Sequence, residues 1–297
     1  MCIRDRSIIS GFFCASLTFL SFLLYVLQAR FGMPYLFLSL KTAIFAAACL
    51  LFPLFVSKGD YKRKLANEAF NGKTGTTNII CGVLSGITFC FFAAFCYSGI
   101  VSLYESFTGK IIIFTSSVKP TAGEIIATVS LKGVLLPALS ATFYYGALGG
   151  YFADKKHGVL MVAVYASLCE FSPGSAVIAL MLNVLASASM KKCGDKTIAP
   201  LIITLVYSLV NIVFPLITTL PFSYTLVTSP ETAKYYGFVS AGIGLLFLAA
   251  TVSIQLFFKG DNGEKPLLKI TSDDRVSFFG TAALYAILTI VIYCGIV

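Results

Sequence analysis

Tryptophan is missing from the 297 residues, histidine occurs once, and only 12% of the chain is charged. Each shortage excludes something. A lone histidine, His157, rules out a multi-histidine metal centre. No HExxH, GxSxG, GxxxxGK[ST] or GxGxxG pattern stands where a hydrolase or a nucleotide-binding unit would need it. Charge at about half the ~25% usual in soluble domains, beside 58% hydrophobic residues, leaves too little polar surface to solvate a soluble core. Nine cysteines are present, none in a CxxC spacing and most inside apolar runs, where a thiol packs as a small hydrophobe. No metal and no cofactor is expected. In the absence of Trp, the fifteen tyrosines supply the amphipathic rings that sit at membrane interfaces.

What is abundant is apolar run. The long runs lack the alternation of a barrel strand, and a backbone crosses lipid only as helix or closed barrel. An all-α polytopic integral membrane protein follows, a single transmembrane domain over 1–297. About seven full spans are expected, at 7–28, 34–56, 79–100, 125–152, 198–220, 237–258 and 276–296, plus a broken or re-entrant helical hairpin near 158–190. MCIRDR is too short for the leader of a cleaved signal, so the first run reads as a retained span. Residues 101–124 read as an outer loop or interfacial segment.

The hairpin decides the threading. Gly158 to Met190 is 33 residues with one formal charge, Glu170. As a straight helix it would run about 50 Å, against ~30 Å of hydrocarbon. Ser172-Pro173-Gly174 breaks it near the middle, because proline lacks an amide donor and restricts the residue before it, while glycine permits the turn. Two arms, 158–171 and 174–190, return the chain to the side it left. Basic residues agree with this threading. Sixteen of the 22 Lys and Arg then lie in loops on one side, cytoplasmic by the positive-inside rule, together with the N-terminus. One kinked crossing would invert every later loop. The formal charge of +9 therefore records topology, and no nucleic-acid partner is expected. The expected location is the cell (inner) membrane, multi-pass, with the lipid bilayer as partner and a homo-oligomer permitted.

Three charges fall inside this threading, and each needs a physical excuse, since a charge at mid-bilayer costs ~2.5–3.5 kcal/mol even on lenient scales. Lys41 and Lys132 lie about 10 Å deep, within snorkelling reach of the outer surface. Alternatively they form one cationic locus that attracts an anionic or carboxylate-bearing solute. Glu170 lies near the midplane, just before the break, and must be protonated or face water, a cation or a buried lysine. Asn183 and Asn211 are polar amides at similar depth, whose ordinary use is interhelical hydrogen bonding.

Two short stretches resemble transporter families. GGYFADKKHG, through Gly150, Asp154, Lys155 and Gly158, resembles the loop between the second and third helices of major facilitator transporters, without the basic pair that follows there. PYLFLSLKTAIFAAACLLFPLFVSKG, with Pro34, Lys41 and Pro53, is similar to drug and metabolite exporters of the EamA-like kind, whose ten spans in two repeats this threading does not reproduce. Neither covers more than about a tenth of the chain, and no functional residue is carried over.

The function expected is secondary active transport of a small anionic solute, coupled to Na+ or H+ through a midplane site at the broken helix. Broken helices at this depth build ion and substrate sites in many such proteins. Glu170, Pro173, Gly174, Asn183 and Asn211 are the candidate coupling residues, and Lys41 and Lys132 the candidate solute attractors. The protein is not expected to be an enzyme. The competing readings are a non-catalytic membrane subunit of a larger complex and an intramembrane lipid-modifying enzyme.

Overall fold

The computed structural model describes residues 3–56, 75–109, 121–152, 157–171, 173–192, 197–217, 230–258 and 272–294. Among them there is helix and no strand. The first two helices, α1 (Ile3–Phe31) and α2 (Pro34–Val56), meet at Gly32, whose positive φ of 64° and N–H bond to the Gln28 carbonyl end α1. Pro34 then opens α2 at the position where its missing N–H costs nothing. Helix α3 (Thr76–Thr108) is 33 residues long. It runs past the expected end at residue 100 until Gly109, in left-handed conformation, caps the Glu105 carbonyl. Residues 101–108 are therefore helix and not loop; 110–120 lie outside the described residues.

The fourth element, α4, is a chain of contiguous segments: Ala122–Ala127, Thr128–Leu135, Leu136–Ala141, Thr142–Leu148 and Gly149–Phe152. Thr121 and Glu124 cap one another's backbone N–H at its start. The segments on either side of Leu136–Ala141, which contains Pro137, are π-helical. The wider turns flank a proline that removes one amide donor from the helix. Then come α5 (Gly158–Ser167), α6 (Pro173–Lys192), α7 (Ile198–Ile217), α8 (Pro230–Leu256) and α9 (Ser272–Tyr293).

Among the described residues, six helices are long and apolar enough to cross a membrane: Ile8–Phe31, Pro34–Phe52, Thr76–Thr108, Ala122–Leu148, Glu231–Leu256 and Asp274–Tyr293. Three shorter apolar helices are Gly158–Ser167, Gly174–Met190 and Ile198–Phe214. The chain is thus an all-helical protein with the make-up of a membrane bundle, at six such helices where seven spans were expected. The shortfall is the expected span 198–220, whose apolar helix is described only to Ile217.

Helix directions follow from the contacts. Phe13 meets Phe52 at a ring separation of 5.3 Å, and Gly11 lies against Ser277, so α1 packs beside α2 and α9. Helices α3 and α8 run antiparallel along most of their length: Gln255 donates to the Ser85 hydroxyl at 3.2 Å, Thr251 to Thr88 at 2.8 Å, and Ser98 to Tyr236 at 3.4 Å. Their axes approach so closely that a Cβ on Gly99 would lie 2.9 Å from the Gly237 carbonyl and the Ala241 nitrogen. Small residues are what permit such backbone approach in lipid.

Two apolar clusters result. One joins α1, α2, the end of α4, α5 and the end of α6 around Phe52, Phe143, Tyr145, Val162 and Met190. The other joins α3, α6, α7 and α8 around Phe89, Leu182 and Ile203. Helix α6 contributes to both, and an open volume lies between them.

Candidate functional site

The expected break is present, and it begins earlier than the sequence reading placed it. Helix α5 stops at Ser167, four residues short of Phe171, and Leu168 to Phe171 are not helical. In lipid, the carbonyls freed by an interrupted helix must find donors. Three side chains from other helices provide them. The Lys41 ammonium donates to the Cys169 carbonyl at 3.3 Å, the Tyr285 hydroxyl to the Glu170 carbonyl at 2.7 Å, and the Tyr293 hydroxyl to the Phe171 carbonyl at 3.4 Å. Phe171 itself is buried against Phe22, Tyr25 and Tyr285. The tip is held by α1, α2 and α9.

The two arms then run back side by side. Asn183 of α6 donates to the Ser167 hydroxyl at 3.1 Å and accepts from the Tyr145 hydroxyl of α4 at 2.6 Å, joining both arms to α4. At the far end Met190 lies against Gly149, close to where α5 begins at Gly158 beside Phe152. The second arm thus ends near the level at which the first started.

Glu170 has the most informative placement. Its carboxylate forms an ion pair with Lys41 at 3.2 Å, across 129 positions of sequence, and 41% of the side chain remains exposed to the open volume against 21% for Lys41. Of the ways an acid among apolar helices could be tolerated, the structure has the lysine.

The open volume is a cavity of about 790 Å³. It is walled by Lys41 and Phe45 of α2, Tyr97 of α3, Lys132 and Tyr144 of α4, Glu170 of the tip, Gly174 and Asn183 of α6, and Tyr207 and Asn211 of α7. Of the seven singled-out residues, six therefore line one cavity. The seventh, Pro173, opens α6 at the break. The lysines were weighed as either snorkelling or a shared locus; both reach this cavity. Lys132 is exposed there and has no ion-pair partner among the described residues, and Asn211 is likewise exposed with no hydrogen bond to a described residue. Asn183 differs, because its amide is already engaged by Tyr145 and Ser167.

Sequence reasoning missed the tyrosines. Tyr97, Tyr144 and Tyr207 were counted as interface anchors or not at all, yet their rings or hydroxyls border the cavity. Tyr285 and Tyr293 brace the break. The eight-residue spacing of that last pair puts them on roughly one helix face, the only signal that could have found them. Among the described residues, no group of three or more His, Cys, Asp or Glu could hold a metal ion, and Asp154 and Asp195 lie outside the described residues.

Compared with known proteins, the chain matches no family model, no curated protein and no solved structure. The two local resemblances to transporter families therefore assign no family.

Proposed function

We propose that this chain is a secondary active transporter for a small organic anion, and that the cavity between the two apolar clusters is its solute site. The observation that carries the reading is the convergence of Lys41, Lys132, Glu170 and Asn211 on one cavity beside a broken helix. Lysines are costly in an apolar bundle, and two of them lining one cavity with a single acid leave a net positive charge there. Such a site attracts an anion and holds it by charge-assisted hydrogen bonds. Around these charges, Phe45, Tyr97 and Tyr207 supply flat apolar walls, and Ser175, Thr204, Ser208 and Asn211 supply neutral hydrogen-bonding groups. That lining suits an anionic head on a partly apolar body. The positive-inside rule orients the molecule with its N-terminus in the cytoplasm and the two lysines toward the outer half of an inner membrane.

A packed subunit of a larger complex has no use for a charged internal cavity of this size. An intramembrane enzyme would need reactive groups in hydrogen-bond reach of one another and of a lipid substrate, and its product would accumulate without a solute gradient. A stabilisation screen tests the proposal. The purified protein in detergent is heated with a panel of organic anions, cations and neutral solutes, since a ligand at 100 times its Kd adds about 2.7 kcal/mol of stability. Anions are expected to raise the melting temperature of the wild type and to lose that effect in Lys132→Met. Stabilisation by cations or neutral solutes alone contradicts the anion reading.

A further inference from the structure

We propose that Glu170 is an internal competitor of the transported anion. In the empty cavity its carboxylate occupies Lys41; an incoming carboxylate takes over that ammonium while a proton from water neutralises Glu170, so solute and proton enter the site together. The inference rests on the anion reading above and adds the coupling ion and the exchange that couples it.

The geometry supplies the parts. An ammonium has three donors, and Lys41 directs two of them at the hairpin, to Glu170 at 3.2 Å and to the Cys169 carbonyl at 3.3 Å. The anchoring to the backbone fixes the ammonium at the cavity wall whether or not Glu170 is its partner. Glu170 is the mobile half, with 41% of its side chain exposed and no second hydrogen bond to a described residue. A solute carboxylate that reaches Lys41 comes within a few ångströms of Glu170, and two carboxylates competing for one ammonium favour a proton on the one that loses it.

The groups around Glu170 leave the proton no rival acceptor. Lys41 faces it from α2, Tyr207 from α7 and Tyr285 from α9, with Cys169 beside it and Cys14 of α1 behind that thiol. Tyr144 of α4 meets the Cys169 thiol at 3.1 Å, and Lys132 of α4 and Tyr97 of α3 line the same cavity. Tyrosines and thiols are neutral near pH 7, and Glu170 is the one carboxyl group among these.

Sodium fits this tip poorly. A sodium site in a broken helix draws on unwound carbonyls, and here those of Cys169, Glu170 and Phe171 already accept from Lys41, Tyr285 and Tyr293. An ammonium 3.3 Å from one of them repels a second cation.

The test is calorimetric titration of the full chain in lipid nanodiscs with benzoate and with sulfate, in two buffers that differ in protonation enthalpy. Neither probe changes charge between about pH 6 and 8. For the wild type, benzoate binding is expected to take up about one proton per anion. Its affinity should fall about tenfold per pH unit wherever Glu170 is ionised in the empty protein. Glu170→Gln, which frees Lys41, is expected to bind benzoate independently of pH, at least as tightly as the wild type at its best pH, and with no proton uptake. The double variant Lys41→Met/Glu170→Gln removes both charges of that pair; it should melt above Lys41→Met, because no carboxylate is left without its lysine, and bind at least about tenfold more weakly than Glu170→Gln. Binding by the wild type without proton uptake, proton uptake that persists in Glu170→Gln, or weaker binding by Glu170→Gln at every pH overturns the exchange while leaving the anion site standing. If neither anion binds the wild type or Glu170→Gln at any pH, the anion reading itself falls and the inference with it.

Discussion

Lys41 and Lys132 look alike in sequence and differ in what they touch, so one substitution applied to each separates stability from binding. Methionine keeps the apolar stem and removes the ammonium. Simple snorkelling of the two lysines would leave both variants near wild-type stability. The contacts of Lys41 with the Cys169 carbonyl and Glu170 revise that: Lys41→Met leaves a carbonyl and a carboxylate at the tip without their donor. It should lower unfolding stability by roughly 1.5–3 kcal/mol, the usual worth of a hydrogen bond to a charged group. Lys132→Met, with no ion-pair partner among the described residues, should stay within about 0.5 kcal/mol of the wild type. Denaturant or thermal unfolding in one detergent decides this, and equal losses in the two variants would contradict the assignment. Asn183→Ala should cost about 0.6–1.7 kcal/mol through its bonds to Tyr145 and Ser167, with little effect on anion affinity. That these residues lie within apolar helices was legible in the sequence because apolar runs are read directly from it. Their partners were not: nothing within a single chain states that positions 41 and 170 meet.

At the scale of elements, an interruption ahead of Pro173 was readable because proline acts through local backbone geometry. The early end of α5 was not, because it depends on Tyr285 and Tyr293 from a helix more than a hundred residues away. The same contrast explains α3. Its start and apolar run were evident, whereas its extension to Thr108 depends on the left-handed cap at Gly109 and on burial of Ser102 and Glu105. The α3–α8 pair carries its own prediction. At Gly99 the nearest obstacles are backbone atoms of α8, which cannot rotate away as side chains do. Gly99→Ala should therefore destabilise the bundle by about 1–3 kcal/mol, the range for overpacking. Gly242→Ala, where a Cβ meets nothing within 4 Å, should be nearly silent. Paired melting curves check this, and a silent Gly99→Ala would mean that the helices are not in such close contact.

Across the whole molecule, the account joins a direction to a cavity. Charge bias along the chain predicts Lys64, Lys156, Lys192 and Lys265 on the cytoplasmic side and Lys110 and Thr228 outside. In a cysteine-free background, an impermeant thiol reagent added to intact cells should label Thr228→Cys and spare Lys192→Cys. External labelling of Lys192→Cys would reverse the hairpin's return. What no feature of the sequence could supply was the cavity itself, since its walls come from six helices and the hairpin tip, brought together only by packing. The central claim is that an anion crosses the membrane through those walls, and uptake by proteoliposomes measures it most directly. With an inwardly directed proton gradient and the anion that best stabilises the protein, wild-type vesicles should accumulate label saturably above protein-free vesicles. Lys132→Met should reduce that uptake about tenfold at limiting solute, the value of one lost charge-assisted contact. Uptake equal to that of protein-free vesicles, or undiminished in Lys132→Met, would contradict it.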